Sequence, residues 1–429
     1  MINEKDQRTK VNREELLECA LELGKCMVQS GAEVRRVEDT ITRIGRAYGA
    51  VSSEVFSITA LVLATVKWKD GTRLTQSKRI AGFGTNLRRL EQYNALARYI
   101  CKKKPGVEEI QSRMKEITKS KKRTWVDAGG YMISAGAFAI FFGGTFMDGI
   151  AAAILGLFVF FFDIFLTGAL ANKIVYTLFA SMATGWLAIL FVQAGLGDNL
   201  DKIMIGDIML FIPTLALCNS LKDMLYGDIL TGMYRSVEAV LIAATIAGGF
   251  FIANITVGGG RVNAVLTESV STGPWISTIS LLLGTVGFSI YFRIKHSRLW
   301  TAAVGGAIAW IVYLAAYAWL DQLFFANALA AVAICFYSEL AARLLKAPAN
   351  IFLIPAVIAL LPGKSFYQAV AAVINGDLGS FYTFAQDTLV PIMGIEVGFL
   401  IAFILFTKTF SFFKEGILYY KYNRYKRKT

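Results

Sequence analysis

The chain has 429 residues, of which 55% are hydrophobic and only 17% charged, with a mean hydropathy of +0.52 and a formal net charge of +13. Soluble domains sit nearer about 25% charged, so a wholly water-soluble globule is excluded, as are collagen-like, disordered and secreted disulfide-scaffold chains. The charge is also lopsided. Residues 1–125 carry 26 Lys+Arg against 15 Asp+Glu, whereas 126–429 carry 18 against 16. The pattern is a basic, water-compatible head on a long apolar body.

No apolar stretch opens the chain, and the first 15 residues, through Glu15, are mostly polar, so the head is expected to stay in the cytoplasm with its cysteines reduced. Asn12 with Glu15 three residues on resembles a capping box, and a helix is expected from there to about Ser30, where Ser30-Gly31 ends it. A second helix places Val34, Val37, Ile41, Ile44 and Tyr48 on one face. From Val51 to Val66 the residues are Val, Ile, Thr and Leu, which favours strands, and Lys69-Asp70-Gly71-Thr72 signals a hairpin turn. Two more helices are expected at 85–102 and 107–119. Residues 1–124 thus read as a small cytoplasmic α/β domain.

The remainder reads as membrane. A helix needs about 20 apolar residues to cross the hydrocarbon core. Ten segments qualify: 126–147, 149–170, 174–196, 205–222, 236–258, 275–296, 298–319, 323–345, 354–371 and 389–413. With the head inside, the inner connectors hold eight basic residues and the outer ones only Lys202 and Arg261. Ten crossings also leave the basic tail 414–429 inside, as the positive-inside rule requires. A shift of 149 residues lays the first five segments on the last five, carrying Pro213 onto Pro362 and Gly227-Asp228 onto Gly376-Asp377. Five is odd, so the second copy would enter the membrane inverted, a plan common in secondary transporters. The expected fold class is therefore mainly α: a polytopic membrane protein of ten transmembrane helices in two inverted five-helix repeats, 125–258 and 273–413. A linker, 259–272, entered through Gly258-Gly259-Gly260, joins them.

Much enzyme chemistry is disfavoured. The five cysteines include no CxxC pair, and His296 is the single histidine, in a basic loop. A thiolate zinc site, a His-rich metal site and a Ser-His-Asp triad lack their residues. No GxSxG or HExxH motif is present. No cofactor or metal is expected, and the protein is read as a non-enzyme.

Candidate functional residues fall in three groups. Pro213 and the Pro355, Pro362, Gly363 set interrupt the fourth and ninth spans. Freed backbone groups there either serve a substrate or merely kink the helix. Around Pro213, Asn219 and Asp223 share a helical face, Lys222, Asp228, Arg235 and Glu238 follow, and Arg235 and Glu238, three apart, are placed to pair. This is either a substrate and gating cluster or an interfacial charge network. Asp163, Glu339 and Glu396 lie within apolar spans and Lys364 beside the second break. Ionisable groups there cost roughly 2.5–3.5 kcal/mol on insertion scales and favour proton or substrate roles. The basic runs at 102–104 and 119–123, ahead of Trp125, suit anionic lipid. No nucleic-acid module is visible.

At these residues the sequence resembles the threonine/serine exporter family. The head segment from Ser30-Gly31-Ala32-Glu33 through Val37-Glu38-Asp39-Thr40 is similar to the family's Gly-x-x-x-x-Arg-Val-Glu-Asp stretch. The second match is Asn219-Ser220-Leu221-Lys222-Asp223, then Gly227-Asp228, Thr231-Gly232, Arg235 and Glu238-Ala239. Thr214 departs from the glycine that usually follows the first proline, whereas Pro362-Gly363 keeps it. The family holds fused chains and two-component pairs, some implicated in dicarboxylate export. The resemblance implies an inner-membrane, proton-coupled secondary exporter of small hydrophilic amino acids, L-threonine and L-serine, with both termini cytoplasmic. Its partners would be the substrate, protons, anionic lipid and a second copy of the chain. Two alternatives stand beside it: export of a dicarboxylate such as succinate, and a membrane sensor.

Overall fold

The computed structural model describes residues 12–426 except 81–83, 120–123, 167–171, 214–215, 217–219, 221–222, 225–226, 258–272 and 375. The Gly-rich linker therefore lies outside the described residues.

The head holds α1 (Arg13–Gln29), α2 (Val34–Ala47), β1 (Ala50–Ile58), β2 (Leu61–Trp68), β3 (Arg73–Arg79), α3 (Leu87–Lys103) and α4 (Val107–Thr118). The strands form an antiparallel meander in the order β1-β2-β3. Alternation does the work on β2: Val62, Ala64, Val66 and Trp68 are buried against the helices, while the residues between them face outward. Gly71, at φ +87°, turns β2 into β3 where the sequence signalled a hairpin. The capping box is only half made. Asn12 Oδ1 accepts from the Glu14 N–H, while Glu15 takes the Asn12 side-chain amide.

The body holds α5 (Trp125–Phe141), α6 (Phe146–Leu166), α7 (Lys173–Gln193), α8 (Leu200–Phe211), α9 (Ile229–Val257), α10 (Pro274–Tyr291), α11 (Leu299–Leu320), α12 (Leu323–Leu345), α13 (Asn350–Ile358), α14 (Gly363–Ile374) and α15 (Leu378–Lys426). Among the described residues, six helices are long and apolar enough to cross a membrane: α6, α7, α9, α11 with its preceding turn, α12, and α15 as far as Phe406. The other four expected spans are shorter or broken: α5, α8, α10 and the α13–α14 pair. The first span stops at Phe141 rather than 147 because Gly143, at φ +94°, turns the chain. The last helix runs on through the basic tail to Lys426. Trp125 and Trp300 on the head side, and Trp275 and Trp319 on the other, are strongly exposed. Trp300 and Trp319 are separated by about 29 Å of helix at about 1.5 Å per residue, the thickness of a hydrocarbon core.

The two halves reuse one packing scheme. In the first, α5 packs on α6 and α8, α6 on α7 and α8, and α7 on α8 and α9. In the second, α10 packs on α11 and α13, α11 on α12 and α13, and α12 on α13 and α15. The turns repeat as well. Gly144 N–H reaches the Ala139 carbonyl as Ile294 reaches Ser289; Leu196 reaches Phe191 as Ala347 reaches Ala342; Asp228 reaches Asp223 as Asp377 reaches Ala372. Each is a helix-ending loop closed across a left-handed residue: Gly143 and Arg293, Gly195 and Lys346, Gly227 and Gly376. The halves join chiefly where α5 lies along α10, with α9 on α14.

The head docks on one end of the body. Leu87 N–H donates to the Phe292 carbonyl, Arg98 to the Lys346 carbonyl, and Arg298 pairs with Glu91 at 2.8 Å.

Candidate functional site

The first site lies where the head meets α9. Arg235 is nearly two turns into that helix and 6% exposed; Asp223 is fully buried on the preceding segment. The guanidinium Nη1 donates to Asp223 Oδ2 at 2.7 Å. Its Nη2 reaches back to the head, donating to the Ala32 carbonyl at 3.4 Å. Gly232 makes the approach possible: a Cβ there would stand 2.5 Å from the Ser220 carbonyl oxygen. A few residues away Arg35 acts electrostatically on both Glu38 and Asp228. Burial pushes the Glu38 carboxyl up, the Ser57 N–H it accepts at 2.8 Å pulls it down, and Asp228 raises it further. Burial likewise raises Asp228, against the pull of Arg35. Two sequence motifs some 200 residues apart thus form one charged junction.

One expected pairing is different. Arg235 does not pair with Glu238 three residues on; the buried Asp223 takes the guanidinium, and Glu238 turns to Lys173 of α7 at 3.6 Å. A desolvated carboxylate has more to gain from the cation than a partly hydrated one. Asn219 and Lys222 lie outside the described residues.

The second site lies where the helices are interrupted. α8 ends at Phe211, Ile212 turns extended, and Pro213 is buried. α13 accommodates Pro355 internally and ends at Ile358; Pro362 precedes α14, which starts at Gly363. The two interruptions abut: a Cβ on Gly363 would lie 2.6 Å from Ile212 Cδ1 and 2.9 Å from Met209 Sδ. Lys364, half-buried, is within electrostatic reach of Lys202 and Asp201. Lys202 is only 1% exposed and pairs with Asp201 at 2.9 Å.

The acids read as intramembrane sort differently. Asp163 accepts from the Tyr131 hydroxyl at 2.6 Å, near the head-side end of α6. Glu339 pairs with Arg343 one turn on, both exposed. Glu396 is half-buried on α15 between Gly394 and Gly398, which pack against α12 backbone. Asp207 on α8 escaped the sequence reading although it lies in an apolar run of the same kind. It is fully buried, and among the described residues neither carboxyl oxygen has a hydrogen-bond partner.

A threonine/serine exporter profile matches residues 18–257, more than half the chain, and a second threonine/serine exporter profile matches 277–405. The chain belongs to the threonine/serine exporter family. It is 22% identical to a threonine/serine exporter of Corynebacterium glutamicum over 388 residues, covering 84% of this chain and 76% of that one. A probable threonine/serine exporter of Mycobacterium tuberculosis is 22% identical over 378 residues, 84% of this chain and 70% of that one. A probable succinate transporter subunit, YjjP, of Klebsiella aerogenes is 25% identical over 235 residues, 54% of this chain and 89% of that one. No solved structure matches. The protein is thus a multi-pass membrane exporter by family and by its apolar helices. The two profiles, divided by residues 258–276, fall on the two halves of the body, and the first also takes in most of the head.

Proposed function

We propose that this exporter moves small hydrophilic amino acids, L-threonine and L-serine, out of the cell by alternating access between two inverted five-helix repeats, driven by the proton gradient. Ten crossings of the inner membrane, with both termini in the cytoplasm, complete the reading. The observation that carries it is the meeting of the two interrupted segments, with Gly363 against Ile212 and Met209. Interrupted helices supply unpaired backbone dipoles at the centre of a repeat interface. Pro213, Pro362, Gly363 and Lys364 would bound the substrate site, Lys364 facing the carboxylate of the zwitterion.

The Asp223–Arg235 pair, with Asp228 and Glu238, would form the inner gate. The head loop at Ala32 closes over that gate, so the head moves when it opens. Basic residues around the head-side end would hold anionic lipid, and a second copy remains compatible with the exposed helix faces.

A second reading has its own support. Two related proteins are named as probable succinate transporter subunits, and Lys202 lies near Lys364. Two cations within reach of each other, one of them shared with Asp201, leave a net positive charge that suits a dianion. Proteoliposomes loaded with labelled threonine or succinate, with and without a pH gradient, separate these readings. Gradient-driven threonine efflux is the expected outcome; succinate movement alone transfers the site to dicarboxylates. Binding without movement would make the protein a receptor.

A further inference from the structure

A buried acid that the proposed mechanism leaves unused is Asp207. Its carboxyl group is 0% exposed in the middle of α8, six residues before Pro213 and so about 9 Å along the helix. Among the described residues neither oxygen has a hydrogen-bond partner, which is rare for a buried carboxyl and demands a reason. The charged and titratable groups on the helices packed around α8 are engaged elsewhere. Tyr131 of α5 donates to Asp163 of α6, and Asp148 of α6 accepts from Thr145, Asp198 and Asn199. Tyr291 of α10 donates to the Leu210 carbonyl, Lys173 of α7 pairs with Glu238, and Lys202 pairs with Asp201. Lys364 of α14 lies near Lys202 and Asp201, and among the described residues no charged side chain acts on Asp207.

Packing does not require the acid. In the second half the equivalent position on α13 is Ala356, which lies fully buried against Gly305. A methyl group fills that place, so the carboxyl is additional to the scaffold. The carboxyl is also shut off from solvent: Asp207 is 0% exposed, and its neighbours along α8 are tightly packed, Gly206 against the Ala135 carbonyl and Met209 and Ile212 against Gly363. The cation small enough to reach a sealed carboxyl is a proton.

We infer that Asp207 is the residue that takes up and releases the coupling proton, one carboxyl oxygen gaining it from the side the carrier faces and losing it to the other. The inference rests on the exporter reading above for what the proton drives. Opening of the adjacent break at Pro213 would connect the carboxyl to water. A proton-filled carboxyl needs no compensating cation, which is why the site tolerates isolation.

The test uses the full chain in proteoliposomes. Gradient-driven threonine efflux is compared with threonine exchange at equal pH for wild type, Asp207→Asn and Asp207→Ala, the alanine having its precedent at Ala356. The ratio of driven to exchange flux is expected to fall at least tenfold in both variants, and Asp207→Glu to retain pH-responsive efflux. An unchanged ratio in either variant overturns the assignment. Infrared difference spectra across a pH step read the carboxyl without a substrate. Wild type should show a protonated-carboxyl band that both variants lack, and an identical band in a variant also overturns it. If wild type moves neither threonine nor succinate, the exporter reading fails while the spectra still decide Asp207.

Discussion

The two halves of the body share a packing scheme and three helix-ending turns, yet differ in what they bury. At the end of the fourth segment the first half holds Asp223 against Arg235; the same places in the second are Ala372 and Phe384. Asp207 faces its counterpart Ala356, and Lys202 its counterpart Ile351. The break itself is reversed in chemistry: the second half places Gly363 after proline, the first Thr214. A scaffold that folds with apolar residues at these places does not need charges there. The charges are therefore additional to what the shared scaffold requires, and the head docks where one of them lies.

The largest expected effect follows from breaking the buried ion pair. Arg235→Ala leaves Asp223 buried without its cation, a change that costs about 3–5 kcal/mol in comparable sites. Unfolding of the purified protein in detergent should show it as a marked loss of thermal stability, with export abolished. The sharper experiment copies the second half into the first. Asp223→Ala with Arg235→Phe replaces the pair by its apolar counterparts, and such exchanges are often neutral or stabilising. The double variant should regain stability relative to Arg235→Ala while export stays lost. Recovery of export would show that the pair is scaffold after all.

The reverse transfer comes next. Ala356→Asp puts a carboxyl into the second half where Gly305 closes on the site, at about 2.5–3.5 kcal/mol on insertion scales. Lower yield and melting temperature are expected, with no gain in pH response. Third is the contact between the breaks. Gly363→Val would push side-chain atoms into Ile212 and Met209, a crowding worth about 1–3 kcal/mol. Transport should suffer more than stability, because the two segments must move past each other; equal loss in both would make the contact structural.

Much of this organisation is legible in the sequence because it rests on short-range rules. Gly71 announces its turn, alternation marks β2, and a proline at 213 and again at 362 marks the breaks, whereas the turn at Gly143 lay hidden inside an unbroken apolar run. What stays hidden is long-range. Nothing local says that Arg235 prefers Asp223 twelve residues back to Glu238 three residues on, since the choice depends on which carboxylate the fold desolvates. The Ala32–Arg235 contact spans two domains and has no sequence period. Asp207 was detectable by the rule that picked out Asp163 and Glu396, an acid inside an apolar run. The same rule gave weight to Glu339, which the fold leaves exposed beside Arg343.

Smaller effects test the head against the body. Glu38 is raised by burial and by Asp228, so its carboxyl binds a proton more tightly in the docked state than in an unfolded chain. The sign follows: the penalty for the charged form is fully present above the raised value and disappears as pH falls below the ordinary one. Mild acidification should therefore tighten the head on the body, seen as a higher protection factor at residues 30–38 once the intrinsic pH dependence of amide exchange is divided out. Glu38→Gln should flatten that dependence at a modest cost from its altered bond to Ser57.

The smallest effect lies wholly within the head. Arg13 at the start of α1 ion-pairs with Asp70 in the hairpin turn, and that hydrogen bond holds the Asp70 carboxyl at about 2. The depressed value means that its contribution is complete above the ordinary carboxylate range and fades as pH falls toward about 2. Both side chains are exposed, so solvent screens the pair and little stability is at stake. Asp70→Asn should change the acid unfolding of the head slightly and leave export untouched at neutral pH. Transport that responded to this change would mean that the hairpin, on the far side of the head from Ala32, is mechanically tied to the gate. The division between a charged junction that works and a sheet that only supports it would then be wrong.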